Sequence, residues 1–140
     1  PSVKEGKKMI PAFEAVRAIN RLRADAVAVA TMTPNRYWEA VSERPELDLP
    51  IFGAMGKASS VALGLALACP DRKIVVLDGD GAMLMHMGGA AIVGAAGVAN
   101  FKHVIFNNGV HDSVGGMAPR ACGSHSRKSS GRAATRKPGA

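Results

Sequence analysis

Cysteine is scarce in this sequence of 140 residues. Cys69 and Cys122 lie far apart, which excludes a disulfide framework and gives no metal-ligand spacing, so we expect ordinary reduced thiols. Long apolar runs are also missing, because glycine, serine or charged residues interrupt each run well before the roughly 20 residues that a membrane span needs. The segment PSVKEGKKMIPAF contains no apolar signal core. We therefore expect a cytoplasmic protein with no membrane partner.

Acidic residues are absent from the last fifth of the chain. Residues 1–112 contain 12 Lys/Arg and all 11 Asp/Glu, whereas residues 113–140 contain six Lys/Arg and no acid. The net charge of +7 therefore lies almost entirely in this end of the chain. Residues 117–140 lose all periodicity and are rich in Arg, Lys, Ser, Gly and Ala, so we expect a basic, disordered tail after a domain formed by residues 1–116.

Two explanations of the basic tail are open. It could neutralise phosphates of a nucleic acid. It has no aromatic residue for stacking and no recognisable reading motif, so nucleic-acid binding is the weaker explanation. The favoured one is a degenerate end, produced by a frameshift or a truncated reading frame.

Segments with helical periodicity alternate with short apolar segments before this tail. Helices are predicted at residues 4–23, 35–44, 57–69 and 82–99. Strands are predicted at 26–30, 73–79 and 102–108, with a turn at 31–35 and a loop at 44–50. Such alternation is typical of βαβ units, so we predict an α/β fold: a doubly wound parallel sheet with helices on both faces, truncated at its C-terminus. The edge of its last strand would then be unprotected.

Polar and glycine residues follow two of the predicted strands. Gly79-Asp80-Gly81 closes the strand KIVVLDG, and Asn107-Asn108 closes KHVIFNN after 25 intervening residues. Ligands of such folds bind at the carboxyl ends of strands, where these two motifs should meet. Carboxylate and amide oxygens suit Mg²⁺ or Ca²⁺, the glycines allow close backbone approach, and a helix beginning near Ala82 can receive a diphosphate. The sequence therefore predicts a metal-bridged diphosphate site.

This pattern, GDG followed after about 25 residues by NN, resembles the signature of thiamine-diphosphate enzymes. The resemblance implies thiamine diphosphate and Mg²⁺ as cofactors. It further implies that Asp80, Asn108 and the carbonyl of Val110 ligate the metal, and that Gly79, Gly81 and Ala82 lie at the diphosphate. Asp78 is expected to support the turn instead.

A third motif, Gly53-Ala54-Met55-Gly56, precedes the predicted helix 57–69 and resembles the Gly-x-Met-Gly of the decarboxylase group. By that resemblance Met55 is a wedge under the cofactor, the Gly53 carbonyl accepts from the aminopyrimidine, and Ala54 lies beside them. The alternative is that Met55 is an ordinary core residue in a glycine-rich loop.

A narrower resemblance covers residues 50–116 and is to phosphonopyruvate decarboxylase and the sulfopyruvate decarboxylase beta subunit. It implies decarboxylation of a small anionic 2-oxo acid. In that group the activating glutamate lies on a pyrimidine-binding domain, which we expect on a partner, in a homo- or hetero-oligomer. The isolated chain should therefore be inactive.

Three alternatives are open within the sequence. The chain could serve an acetolactate-synthase-like carboligase, or it could be a non-catalytic or degenerate cofactor-binding subunit. His111, with Asp112, is a weak catalytic candidate that could contact a phosphonate or sulfonate or relay a proton; the other interpretation is a solvent-facing polar loop.

Overall fold

A computed structural model describes residues 10–111. The elements follow one another as α1 (Ala12–Leu22), β1 (Val27–Thr31), α2 (Met32–Glu39), β2 (Asp48–Ile51), α3 (Ala58–Ala68), β3 (Ile74–Gly79), α4 (Asp80–Met85), α5 (Met87–Ala96) and β4 (Phe101–Phe106). The four strands form one parallel sheet in the order β2-β1-β3-β4. The predicted parallel α/β fold is confirmed.

The central strand β3 explains why helices cover both faces of the sheet. Successive side chains of a strand point to opposite faces, and here both sets are apolar and buried. Ile74 and Val76 pack with α3, in a cluster that also contains Val29 and Phe101. Val75 and Leu77 belong to the opposite cluster, which contains buried side chains of the two helices on that face, Val16 and Trp38. The sheet thus has two separate apolar layers.

The first helix begins at Ala12, later than the predicted start at residue 4, and ends at Leu22, close to the predicted end. Pro11 is the residue before α1, and Val16 is fully buried while Ile19 packs beside it. Apolar residues recur at every third position from Ile10 to Ile19, which would place Ile10 on the apolar face of the helix. Ile10 instead lies before the helix and is exposed. Residues 4–9 of the predicted helix lie outside the described residues.

The predicted turn at residues 31–35 is wrong. α2 begins at Met32, two residues before Pro34. Pro34 lies in the first turn of the helix, where a backbone N–H has no helical partner and its loss is harmless. Proline therefore marked the first turn of this helix rather than its first residue.

The predicted loop at residues 44–50 is also wrong, since it contains the edge strand β2. A short 3-10 turn at Pro45–Leu47 leads into this strand, which pairs with β1 from Ala28↔Asp48 to Thr31↔Ile51. Proline is tolerated in an edge strand, and Pro50 is exposed there.

The single helix predicted at residues 82–99 is two helices that begin earlier, at Asp80. His86 separates α4 from α5 with φ −142° and ψ 53°, outside the helical region. Gly56 packs against this break, where an added Cβ would lie 2.6 Å from the Cβ of His86 and 2.8 Å from the Ala82 carbonyl oxygen. The break lets the loop before α3 approach α4 closely.

Within residues 10–111, β4 ends the sheet on one side, and Ile105 there is 40% exposed. The domain boundary after residue 116, the predicted tail 117–140 and the truncation of the sheet lie outside the described residues and stay predictions. None of the helices in the described part has the length and apolar character needed to cross a bilayer.

Candidate functional site

The ends of β3 and β4 meet at the carboxyl end of the sheet. Gly79 pairs with Phe106 in the register of the two strands, so the residues that follow them emerge side by side. The backbone N–H of Gly109 donates to Oδ2 of Asp80 at 3.1 Å. The structure therefore brings the GDG motif into direct contact with the residue that follows NN, and the two motifs meet at this end of the sheet as predicted.

The loop after β4 is held by its two asparagines. Oδ1 of Asn107 accepts from the backbone N–H of Gly109 at 3.1 Å, and Oδ1 of Asn108 accepts from that of Val110 at 3.0 Å. Gly109 has φ +70°, a conformation that glycine adopts without steric penalty. A carbonyl oxygen has two lone pairs, so Oδ1 of Asn108 can accept this bond and still ligate a cation.

Asp78 has a different role from Asp80. Its side chain is buried, and Oδ1 accepts from the backbone N–H of Gly79 at 2.9 Å. Oδ2 lies 3.4 Å from Nε2 of His103 on the neighbouring strand. Neither of these two buried atoms makes a hydrogen bond within the described residues. Asp78 thus supports the turn through Oδ1, which agrees with its expected role.

The Gly53–Gly56 loop reaches the same end of the sheet. Gly53 and Gly56 have φ of +66° and +77°, so both positions favour glycine. Met55 lines the cavity described next, whereas Gly53 and Ala54 do not. The structure therefore brings only Met55 of this motif to the cavity wall.

A cavity of about 450 Å³ lies at this end of the sheet. Its polar side is formed by residues at or just after the ends of β3 and β4: Gly79, Asp80, Gly81, Ala82, Asn107, Asn108, Val110 and His111. Its apolar side is formed largely by residues that the sequence did not single out: Ile10, Pro11, Ala12, Met32, Pro34, Tyr37 and Phe106.

The contribution of α2 to the cavity follows from the strand order. β1 and β3 are neighbours, but the chain continues from β1 to one side of the sheet and from β3 to the other. Such a switch point is where ligands bind in open parallel sheets, so residues directly after β1 are expected there. Met32 takes φ +50° at this point, an uncommon conformation for a residue other than glycine. A single sequence gives no strand order, which is why these residues were missed.

The charges of the cavity suit a cation-bridged ligand. Among the described residues, Asp80 is its only acidic side chain, and no lysine or arginine lines it. Nor do residues 10–111 contain a group of three or more His, Cys, Asp and Glu side chains able to hold a metal alone. Carboxylate, amide and backbone oxygens are hard ligands, and Mg²⁺ typically completes its coordination with water and substrate phosphates. The donor set of Asp80, Asn108 and the Val110 carbonyl therefore fits Mg²⁺ shared with a diphosphate.

His111 lies on the polar side of the cavity, beside α4. A Cβ atom added to Gly81 would overlap its imidazole ring. The ring thus covers the backbone of Gly81, which is buried. Asp112, its predicted companion, lies outside the described residues.

Comparison with known proteins places these motifs in a family. Residues 26–138 match the thiamine pyrophosphate enzyme, C-terminal TPP binding domain. The matched range begins before and ends after residues 50–116, the range of the narrower resemblance. The domain boundary at residue 116 stays a prediction.

Named relatives include decarboxylases and a synthase. Phosphonopyruvate decarboxylase of Streptomyces viridochromogenes is 42% identical over 107 residues, which are 73% of this chain and 26% of that protein. Sulfopyruvate decarboxylase subunit beta of Methanothermobacter thermautotrophicus is 32% identical over 114 residues, 81% of this chain and 60% of that subunit. The acetolactate synthase large subunit of Parasynechococcus marenigrum is 29% identical over 99 residues, 68% of this chain and 16% of that protein.

This chain spans about a quarter of the first relative's length and less than two thirds of the second's. The resemblance to thiamine-diphosphate enzymes is confirmed by the family match, which covers more than half of the chain. The chain belongs to the thiamine pyrophosphate enzymes, in the family of their C-terminal TPP-binding domain.

Proposed function

We propose that this chain supplies the diphosphate-binding half of a thiamine-diphosphate- and Mg²⁺-dependent decarboxylase that acts on phosphonopyruvate or sulfopyruvate. The observation that carries the proposal is the contact between Gly109 and Asp80, which joins two oxygen-rich motifs at one cavity. The names of the relatives, phosphonopyruvate decarboxylase and sulfopyruvate decarboxylase subunit beta, support the choice of substrates.

Asp80, Asn108 and the carbonyl of Val110 would hold the Mg²⁺. The main chain of Gly79, Gly81 and Ala82 would lie along the diphosphate, and Met55 would support the rings of the cofactor from the apolar side. Gly53 and Ala54 would contact the cofactor outside the cavity wall. When bound, thiamine diphosphate supplies the nucleophilic carbon and takes up the electron pair released with CO₂.

The metal is essential to this arrangement for an electrostatic reason. The described cavity wall contains one carboxylate and no basic side chain. A diphosphate bound without a cation would face the charge of Asp80 in a partly desolvated site, where like charges repel strongly. A divalent cation between them converts that repulsion into two attractions.

A pyrimidine-binding domain or subunit is the proposed partner. One relative is named as a subunit, and the chain covers only part of each relative's length. The outer sides of the packed helices α3 and α5 also expose apolar side chains, among them Leu67, Met87 and Ile92. Exposed apolar side chains on helices that pack together are typical of protein contacts, so this surface is the proposed position of the partner.

Calorimetric titration with thiamine diphosphate, with and without Mg²⁺, tests the proposal. We expect Mg²⁺-dependent binding that Asp80→Asn removes, because the neutral amide no longer attracts the cation. Asp71→Asn, an exposed acid in the turn before β3, is the matched control and should bind like the wild type. Binding by Asp80→Asn at wild-type strength would contradict the proposed metal site.

A carboligase related to acetolactate synthase is the second candidate, favoured by the 29% identity to that synthase subunit. Product analysis with the partner present separates the two. Release of CO₂ and an aldehyde from phosphonopyruvate or sulfopyruvate supports the decarboxylase, whereas condensation of two 2-oxo acids supports the carboligase. The chain alone should catalyse neither.

A further inference from the structure

The imidazole of His111 lies at a position that the metal site does not explain. It lines the polar side of the cavity and covers Gly81 so closely that no Cβ could be added there. The side-chain hydrogen bonds of this loop within residues 10–111 are made by Asn107, Asn108 and Asp80. The imidazole takes no part in them, so within residues 10–111 its N–H is not used to hold the loop in shape.

The donors available to an anion in this cavity are few. No lysine or arginine lines the described wall, so within residues 10–111 the groups able to satisfy a bound oxyanion are backbone N–H groups and uncharged side-chain donors, together with the proposed metal. Thr33 and Tyr37 belong to α2 and also line the cavity. Asn107 and Asn108 accept through Oδ1 within their own turn, and their Nδ2 groups are further donors in the cavity wall. His111 is the donor that lies directly against the Gly81 backbone.

We propose that His111 donates a hydrogen bond to a tetrahedral oxyanion bound beside Gly81. This inference rests on the proposed function. Two sources offer that chemistry: the diphosphate of the cofactor, and the phosphonate or sulfonate group of the substrate. Hydrogen bonds to charged groups are stronger than those between neutral groups, so loss of this donor should weaken binding of the oxyanion roughly 10-fold or more.

Two variants separate donation from packing. His111→Phe keeps a ring against Gly81 but has no N–H. His111→Gln loses the ring and keeps an N–H donor. If His111 only packs, the Phe variant should bind the oxyanion, added as inorganic diphosphate with Mg²⁺ or as methylphosphonate, as well as the wild type does. If His111 donates, the Phe variant should bind that oxyanion roughly 10-fold more weakly, and the Gln variant should recover part of the lost affinity.

The measurement is NMR of the histidine side chains of the full 140-residue chain. One arm adds inorganic diphosphate with Mg²⁺; the other adds methylphosphonate after saturation with thiamine diphosphate and Mg²⁺. A shift of the His111 signals in the first arm assigns the cofactor's diphosphate, and a shift only in the second assigns the substrate group. His86 and His103, which do not line the cavity, are internal controls.

The outcomes distinguish this inference from the proposed function. Unchanged His111 signals in both arms, or wild-type oxyanion affinity of His111→Phe, would overturn the inference. The proposed function would still stand if thiamine diphosphate binding depends on Mg²⁺ and is sensitive to Asp80→Asn. Failure of the wild-type chain to bind either diphosphate or thiamine diphosphate would overturn both.

Discussion

Asp48 and Asp80 lie at opposite ends of the same parallel sheet, and their surroundings differ in charge. Asp48, the first residue of β2, forms an ion pair with the buried Arg23 and accepts a hydrogen bond from the Ser42 hydroxyl. Asp80, at the carboxyl end, accepts from the backbone N–H of Gly109, and no basic side chain lines its cavity wall in the described part of the chain. One carboxylate is neutralised by an arginine of the fold, and the other is the proposed ligand of an external cation.

The side chains around Arg23 balance the charge of Asp48 from within the protein. The Arg23 guanidinium also donates to the Arg44 carbonyl at 2.8 Å and lies over the ring of Trp38, 5.1 Å from the centroid. The network joins the end of α1 to the start of β2, an edge strand of only four residues. Its role is therefore structural, whereas the oxygens at the carboxyl end are arranged for binding.

The largest expected effect is on folding and comes from the Arg23 end. Arg23→Ala leaves Asp48 partly buried and unpaired, and removes the contact with Trp38, so we expect the free energy of unfolding to fall by about 3–5 kcal/mol. Urea denaturation followed by circular dichroism measures it. Arg17→Ala, which breaks the exposed Arg17–Glu14 pair, is the control and should change stability by less than about 1 kcal/mol.

Asp80→Asn is the counterpart at the other end of the sheet. In the absence of ligand it should leave the unfolding midpoint nearly unchanged, since Asp80 has no cationic partner in the described chain. A loss as large as that of Arg23→Ala would remove the distinction between the two ends.

A second effect concerns the packing beside the cavity. Gly56→Ala should destabilise the chain by about 1–3 kcal/mol, because its φ of +77° disfavours a side chain and the new Cβ would meet the backbone of Ala82. Gly64→Ala, in the interior of α3 with open space at the Cβ position, should stabilise it by about 0.5–1 kcal/mol. Thermal unfolding of both variants measures the difference. Equal midpoints would show that the loop can move away from α4.

The smallest effect is on the acid dependence of stability near the Arg23 end. A backbone hydrogen bond, then the Arg44 side chain, lowers the pKa of Glu46 from its ordinary 4.5. A carboxyl with a lowered pKa stabilises the fold above its ordinary pKa, and this contribution is lost as pH falls from about 4.5 through the lowered value. Glu46→Gln should therefore flatten the stability curve slightly in that range, measured by urea denaturation. Glu43→Gln is the exposed control, and an equal flattening there would assign the effect to net charge.

More of the carboxyl end of the sheet than of the other regions could be predicted, because the sequence pattern that indicates it is local. Two apolar strands each end in glycine and polar residues, and parallel pairing brings such ends together whatever the remaining topology. Asp80 and Asn108 could thus be placed beside each other from their spacing. The helical spans around Val16 and Leu63 were predicted for the same local reason.

The missed features depend on long-range contacts. β2 is held as a strand by the ion pair of Asp48 with Arg23 and by backbone pairing with β1. The segment RPELDLP alone indicates neither partner. The break at His86 packs against Gly56 of a distant loop, a contact that the local sequence does not reveal. Met32 reaches the cavity through an unusual φ and a strand order that only the folded chain defines.

The claim that Asp80 and Asn108 hold a divalent cation at the diphosphate is tested most directly by a crystal structure with thiamine diphosphate and Mn²⁺ in place of Mg²⁺. The account predicts an anomalous difference peak bonded to a carboxylate oxygen of Asp80, to Oδ1 of Asn108 and to diphosphate oxygens, at roughly 2.0–2.3 Å. Thiamine diphosphate bound with its metal away from both side chains, or in another part of the molecule, would contradict the account.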